Sequence, residues 1–469
     1  MYEATFLLCN LEVVTFMEDT INDKKKLYPF HMPGHKRNKN FIDENLLELD
    51  MTEICGLDNL HNPKGIIKNA QENCAKIFGA RQSFFVVNGA SSAVMAAIFS
   101  VCNENDEIIA MRSSHKSFYN ALELTGIVAH YLYGKDFFGI NCGIDYVELE
   151  NLLKAKDAIK AVFITSPNYE GFCLDIKKIC EIVHRYKKIL IVDEAHGSHF
   201  VFHEKFPTSA LKSGADIVIN SLHKTLPCLT QSAVLHINSE LVDIKRVKKY
   251  LSMFQTTSPS YILMSVMDST LRKLHAKKFY NNYTEKLIQV RKTLSSNKII
   301  QLVEKNDYVA DIDISKLVFL VNAQEKPQEV EEILRNEFDL QIEMCGLKHF
   351  VALSTIADTD FGFQLLIKSI GEIEKRFRYK KLVCGNNDVI KSSMICSIKN
   401  ATKKTSKYVL LDKSLNKISA SYITPYPPGI PLIVPGEMIT PQIINCVKYY
   451  LEQKIEVLGV NKNMILVIS

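Results

Sequence analysis

The chain has 469 residues, 47% hydrophobic and 23% charged, with a formal net charge of +5. That length suits a large core and more than one domain, and the modest charge gives no reason to expect a nucleic-acid partner. Twelve cysteines without a Cys-x-x-Cys pair, no basic leader before an apolar run and no bilayer-length apolar stretch fit a cytoplasmic protein, without a disulfide framework or membrane span.

Seven short apolar runs between residues 84 and 237 predict strands: Phe84–Val87, Glu107–Met111, Ala129–Tyr133, Ala161–Thr165, Ile189–Val192, Asp216–Asn220 and Ala233–Ile237. Amphipathic stretches Ser91–Val101, His115–Leu124, Asp145–Ala155 and Asp175–Lys187 predict helices between them. This alternation implies an α/β fold, a mainly parallel sheet with helices on both faces. Beyond residue 240, Leu241–Tyr250 and Leu263–Leu274 read as helices. Strands Leu317–Val321 and Phe350–Ser354 with helices Pro327–Phe338 and Gly362–Arg376 then predict a smaller α+β domain. The run Lys375 to Lys381 interleaves cations with aromatics. It reads as the solvated end of the last helix, where cations favour the C-terminal dipole. Gly385-Asn386-Asn387 and the stretch 400–407 mark a linker, and the prolines of 425–437 imply a stiff loop. The expected division is an arm over 1–28, a large domain over 29–295, a small domain over 296–383 and a C-terminal domain over 384–469.

Ligands on parallel sheets collect where the strands end, and Asn88, Ser113, Thr165, Asp193 and Ser221 each lie at or just past such an end. Two of these ends carry the most specific chemistry. Lys224, in Ser221-Leu222-His223-Lys224-Thr225, lies downstream of Asp193, in Ile191-Val192-Asp193-Glu194-Ala195-His196. A lysine to condense with the cofactor aldehyde and an aspartate to keep the pyridine nitrogen protonated are what a pyridoxal phosphate (PLP) enzyme requires. Burial would lower the lysine's pKa and free its amine for attack. Asn88-Gly89-Ala90-Ser91-Ser92 opens a helix after a strand, where free N–H groups favour an anion such as a phosphate. Ser221 and His223 are further phosphate donors, and His115 is placed to stack on a ring or donate a proton. His196, His199 and His203 have metal-like spacing, but Gly197 interrupts a helix there and no metal is expected. The Asp193-Glu194-Ala195-His196 string resembles a helicase Walker B motif, yet no phosphate-binding P-loop accompanies it, and neither a nucleophile elbow nor a dinucleotide fingerprint is present.

Taken together, the chain resembles the PLP-dependent ornithine/lysine/arginine decarboxylases of the aspartate-aminotransferase fold (fold type I). The resemblance is carried by Phe30–Lys36, Asp50–Ile54, Leu57–His61, Asn88–Ser92, Ser114–Ser117, Val192–Gly197, Ser221–Thr225, Thr256–Tyr261 and Pro425–Glu437. It implies that Lys224 is the Schiff-base lysine, Asp193 the pyridinium partner, and His115 the residue stacked on the ring with His196 beneath it. The resemblance also assigns Ala90 (through its N–H), Ser91, Ser221 and His223 to the phosphate, with Gly89 among the residues that bind the cofactor. Thr257 and Ser258 would reach the phosphate region of a neighbouring subunit, Ser258 as a cofactor-binding residue, in a homodimer or higher homo-oligomer with shared active sites. Decarboxylation of a basic amino acid to agmatine or a diamine is the implied reaction, as in polyamine biosynthesis, with Lys224 or His115 returning a proton to Cα. Transamination or another amino-acid lyase reaction, and a non-catalytic protein keeping the fold, are the alternatives. Larger family members carry a receiver-like N-terminal domain, and the motifs here begin near residue 29, so a short form is expected. Ala90 stands where a hydroxyl residue is common, and Asn168-Tyr169-Glu170-Gly171 and Arg37-Asn38 also depart from the family pattern. A substrate with a distal cation needs an acid in its pocket, and Glu437 and Glu170 are the candidates.

Overall fold

The computed structural model describes residues 27–31, 34–40, 50–54, 57–275, 278–382, 390–426 and 429–469. The arm expected over 1–28 lies, but for residues 27 and 28, outside the described residues, as do Gly385-Asn386-Asn387 and Pro427-Pro428.

The seven runs form one sheet: β1 (Gln82–Val86), β2 (Glu107–Met111), β3 (Val128–Leu132), β4 (Ile159–Thr165), β5 (Ile189–Asp193), β6 (Ile217–Ser221) and β7 (Ala233–Ile237). Their order is β1-β7-β6-β5-β4-β2-β3. The ladders β3–β2–β4–β5–β6 are parallel, while β7 runs antiparallel to both β6 and β1. Six strands therefore end at one edge, and only β7 begins there. The mainly parallel sheet is as expected, and the reversal of β7 is the one exception that alternation of apolar runs does not reveal.

Side-chain alternation divides the core between the two faces of the sheet. Phe84, Val86, Ile108 and Ala110 enter one cluster, with residues of helices α2 (Gly89–Val101), α3 (Lys116–Thr125) and α7 (Ile244–Met253). Phe85, Val87, Ile109 and Met111 enter the other, with α1 (Ile66–Phe78), α4 (Tyr146–Ala155), α5 (Ile176–Arg185), α8 (Tyr261–Leu274) and α9 (Lys278–Leu294). Helix α6 is the single turn Leu222–Thr225 after β6. Lys224 sits within this helical turn. Helices α1 and α9 were not expected. For α1 the signal was present: Ile67, Gln71, Cys74, Ala75 and Phe78 share a buried face, and Gly79 closes the helix in the left-handed region at φ 72°.

The smaller region is a four-stranded antiparallel sheet, Ile300–Leu302, Lys316–Val321, His349–Leu353 and Met344–Cys345 in that order, backed by helices 327–338 and 360–376. Lys375 and Arg376 close the last turn of the second helix and pair with Glu372 and Glu337. Tyr28–Phe30 pairs in parallel with Leu340–Ile342, so the chain enters through this region before reaching the large sheet.

In the C-terminal part, strands 406–410, 464–468 and 460–461 and helix 441–452 surround a separate core. The stretch 400–407, expected as linker, is ordered. Ile398–Thr402 is a helical turn whose Ile398 packs in the same cluster as α3, and Ser406 begins a strand. This part is fastened to β2 by a buried ion pair, with Arg112 Nη2 2.9 Å and Nε 3.2 Å from the Glu437 carboxylate.

Candidate active site

The common edge of the sheet brings the sequence-predicted residues together. Thr165 and Asp193 are register partners across β4 and β5, and Asp193 pairs with Ile219, two residues before Ser221. Thr165, Asp193 and Ser221 have the same strand parity as Phe163, Ile191 and Ile219, which pack on the face covered by α2. The N-terminus of α2 and the side chains ending β4, β5 and β6 thus look into one crevice.

Asp193 is buried, and its Oδ1 accepts from the Ala195 N–H at 3.1 Å, leaving Oδ2 for another partner. Lys224 lies on the turn after β6, with Nζ 2.9 Å from His196 Nε2. Burial lowers the Lys224 amine, although Asp193 and Glu343 attract its cation. His115 caps α3, accepting from the Ser117 N–H through Nδ1. Its ring remains reachable from solvent, and desolvation by the crevice walls keeps its pKa below the ordinary value. The Nδ1–H of His223 donates to the Ser232 carbonyl at 3.0 Å, and burial lowers its pKa to about 4. Neutral His223 therefore presents only a lone pair at Nε2, and it becomes a donor to a phosphate only when the phosphate charge restores its proton.

The crevice fits the phosphate and ring of PLP on its own terms. Helix α2 begins at Gly89, at φ 79°, with no side chain capping its N–H groups, and Ala90 and Ser91 follow in the same turn. The buried hydroxyls of Thr165, Ser221, Thr225 and Ser232 have no hydrogen-bond partner. Unpaired buried hydroxyls are costly, and those of Thr165 and Ser221, at strand ends that look into the crevice, indicate a polar ligand there. Ser258 is exposed and lines a cavity of about 350 Å3 with Asn88, Gln231 and Thr256, beside the start of α2.

Three residues to which no site role was assigned from the sequence enter from the smaller region and the N-terminal loop. Lys316, 2% exposed, places Nζ 2.9 Å from His196 Nδ1, and burial lowers its pKa to about 8. Lys36 is buried, with Nζ donating to the carbonyls of Leu353 (2.7 Å) and His31 (2.9 Å). Glu343 accepts from the Tyr169 hydroxyl, and its field reaches Lys36, Lys224, Lys316 and His223. Tyr169 also packs on His196, with ring centroids 4.9 Å apart.

Of the two proposed substrate acids, Glu437 is excluded. It is 1% exposed, and Arg112 and the Val434 N–H already occupy its carboxylate. Glu170 stays near the crevice, with Oε1 3.4 Å from His349 Nε2 but not hydrogen-bonded to it. The three spaced histidines diverge. His199 pairs with buried Asp313, His203 meets Thr284, and among the described residues no group of three or more ligands is set to hold a metal.

Glu194 turns away from the crevice and accepts from the Ala210 N–H and the Asn220 amide. Burial raises its pKa from 4.5 to about 8. The folded chain holds this proton where the unfolded chain has lost it, so the stabilisation is complete below pH 4.5 and is lost as pH rises through about 8. The melting temperature should fall between pH 5 and 8, and Glu194→Gln should flatten that fall; parallel melting curves for the two proteins would contradict it.

Residues 22–340 match the family model described as "Orn/Lys/Arg decarboxylase, major domain", and residues 389–457 match that family's C-terminal domain. The arginine decarboxylase of Bacillus anthracis is 30% identical over 473 residues, covering 97% of this chain and 96% of that protein. The arginine decarboxylase of Bacillus subtilis is 32% identical, covering 92% of each. Among solved structures, the constitutive lysine decarboxylase of Escherichia coli superposes with a TM-score of 0.78 at 18% identity, covering 94% of this chain and 79% of that one.

Proposed function

Because this chain belongs to the Orn/Lys/Arg decarboxylase family and is a PLP-dependent lyase of basic amino acids, we propose that arginine is its substrate and agmatine its product. The observation that carries the site assignment is the lowered Lys224 amine at the end of β6, one strand from Asp193. PLP supplies an electron sink that takes up the electron pair left when CO2 departs.

The side chains have separable tasks. Lys224 anchors the cofactor, and Asp193 holds a proton at the pyridine nitrogen. The uncapped N–H groups of Gly89, Ala90 and Ser91, with the free hydroxyl of Ser221, bind the phosphate, and His223 joins them once protonated. His115 covers the ring from the α3 side, and His196 lies against Lys224. Glu343 takes the place of Glu437 as the acid that meets the distal cation, with Glu170 beside it. It is half-buried, and its field already reaches Lys36, Lys224, Lys316 and His223, so a substrate cation entering there would meet it.

We take the active unit to be a homodimer, with Thr257 and Ser258 exposed beside the α2 cavity to serve the partner's site. The described cysteines are all free thiols and most are buried, which supports a reducing, cytoplasmic location. Among the described residues no helix is long and apolar enough to cross a membrane.

Incubation with arginine, lysine and ornithine should release CO2 and agmatine from arginine, with kcat/KM at least about tenfold above lysine. Glu343→Gln should raise KM for arginine by about 10- to 100-fold with a smaller change in kcat. Keto-acid formation without CO2 would favour the transaminase alternative, and a preference for lysine would remove the substrate assignment.

A further inference from the structure

Lys316 begins a strand of the smaller region, and the turn at Gly171 closes over its stem: a Cβ there would lie 2.5 Å from Lys316 Cγ. Its Nζ is 2.9 Å from His196 Nδ1, and the opposite ring nitrogen, Nε2, is 2.9 Å from Lys224 Nζ. The two amines and the imidazole therefore form one hydrogen-bonded chain, with Lys316 and His196 buried and Lys224 at its partly exposed end.

Hydrogen counting limits its charge. A neutral imidazole offers one N–H and one lone pair. Its N–H needs a neutral amine to accept it, and its lone pair accepts from the other lysine. An imidazolium would need both amines neutral. In every case Lys224, His196 and Lys316 share at most one excess proton.

The surrounding charges say where that proton rests. Asp313 and Glu343 favour the ammonium of Lys316, while burial, Lys224 and Lys36 oppose it, leaving it near pH 8. Asp193 and Glu343 face Lys224, and burial outweighs them. His196, buried and facing Lys224, Lys316, His115 and His223, is held well below its ordinary pKa. The imidazole is thus suited to conduct a proton and not to keep it.

We propose that Lys316 is a positioning residue that stores a proton and passes it to Lys224 through His196. In the resting arrangement the Lys316 ammonium donates to Nδ1, and Nε2–H donates to the neutral Lys224 amine. On transfer, a Lys316 N–H bond breaks as Nδ1–H forms, and Nε2–H breaks as a Lys224 N–H forms. Lys316 ends neutral, Lys224 ends as an ammonium and His196 remains neutral in its other tautomer. Losing CO2 replaces a C–C bond at Cα with a C–H bond and so consumes one proton per turnover. This inference rests on the decarboxylase reading for that demand, and the stored proton meets it from within the protein.

The test separates proton sharing from delivery. In the full chain freed of cofactor, the pH dependence of Lys224 acetylation by acetic anhydride is read by mass spectrometry. Lys316→Met leaves the shared proton to Lys224 alone, so the Lys224 titration should move up by about one pH unit or more. Lys316→Arg keeps a cation that does not release its proton, so the titration should stay low while kcat in the holoenzyme falls about tenfold or more at unchanged KM. An unmoved Lys224 titration in Lys316→Met would overturn the sharing, and an unimpaired kcat in Lys316→Arg would overturn the delivery. If Lys316→Met does not fold, as judged by its melting curve, the Lys316→Arg arm decides. If the unaltered chain decarboxylates no basic amino acid, the lyase reading and the delivery step fail together, and the Lys224 titration still decides the sharing.

Discussion

Lys224→Ala should lose decarboxylation by about 10⁴-fold or more, the scale expected when a covalent nucleophile is removed. Desolvation lowers three amines near this crevice, those of Lys36, Lys224 and Lys316, so it does not by itself select among them. Position does. Lys36 spends its protons on two backbone carbonyls, and Lys316 enters from the smaller region. Only Lys224 sits on the edge where Thr165, Asp193 and Ser221 end their strands. Borohydride reduction of the holoenzyme should therefore fix the cofactor to the peptide carrying Lys224, and Lys224→Ala should retain no reducible covalent cofactor. Normal attachment in that variant, or attachment mapped to Lys36 or Lys316, would sink the assignment. The fold should survive, because the substitution removes a side chain from a single helical turn bordering a crevice.

How much of this was legible in the sequence depends on which contacts are local to a strand end. Asp193 and Ser221 each follow an uninterrupted apolar run, and such runs show where buried parallel strands stop. The Gly89–Ser91 helix start was readable for the same reason. Lys316 carried a comparable signal, a lone cation heading the apolar Leu317–Val321, but its strand belongs to another sheet. Only tertiary packing turns its amine onto His196. Glu343 and Lys36 likewise depend on how the smaller region and the N-terminal loop close over the crevice. Glu437 misled because a carboxylate after a rigid proline loop looks available. Nothing local in the sequence announces that Arg112, 325 residues away, neutralises it. A buried partner of that kind is visible only once the domains are packed.

Asp193→Asn should lower kcat by about 10²- to 10³-fold, or roughly 3–4 kcal/mol, typical for losing one oriented group opposite developing charge. Asparagine keeps the shape and can still accept from the Ala195 N–H through its carbonyl oxygen. What it loses is the negative charge that holds a proton on the pyridine nitrogen, and with it the electron demand of the ring. The same charge also attracts the Lys224 cation. Removing it leaves burial less opposed, so the Lys224 titration in the cofactor-free chain should move further down in Asp193→Asn. A purely structural aspartate would not move that titration while leaving the melting temperature unchanged. The two effects have one cause and should appear together. A variant that binds cofactor normally, keeps its Lys224 titration and retains kcat within about threefold would remove Asp193 from the site. The pair would then have to be rebuilt around another carboxylate, and Glu343, the other acid whose field reaches Lys224, would be the next to test.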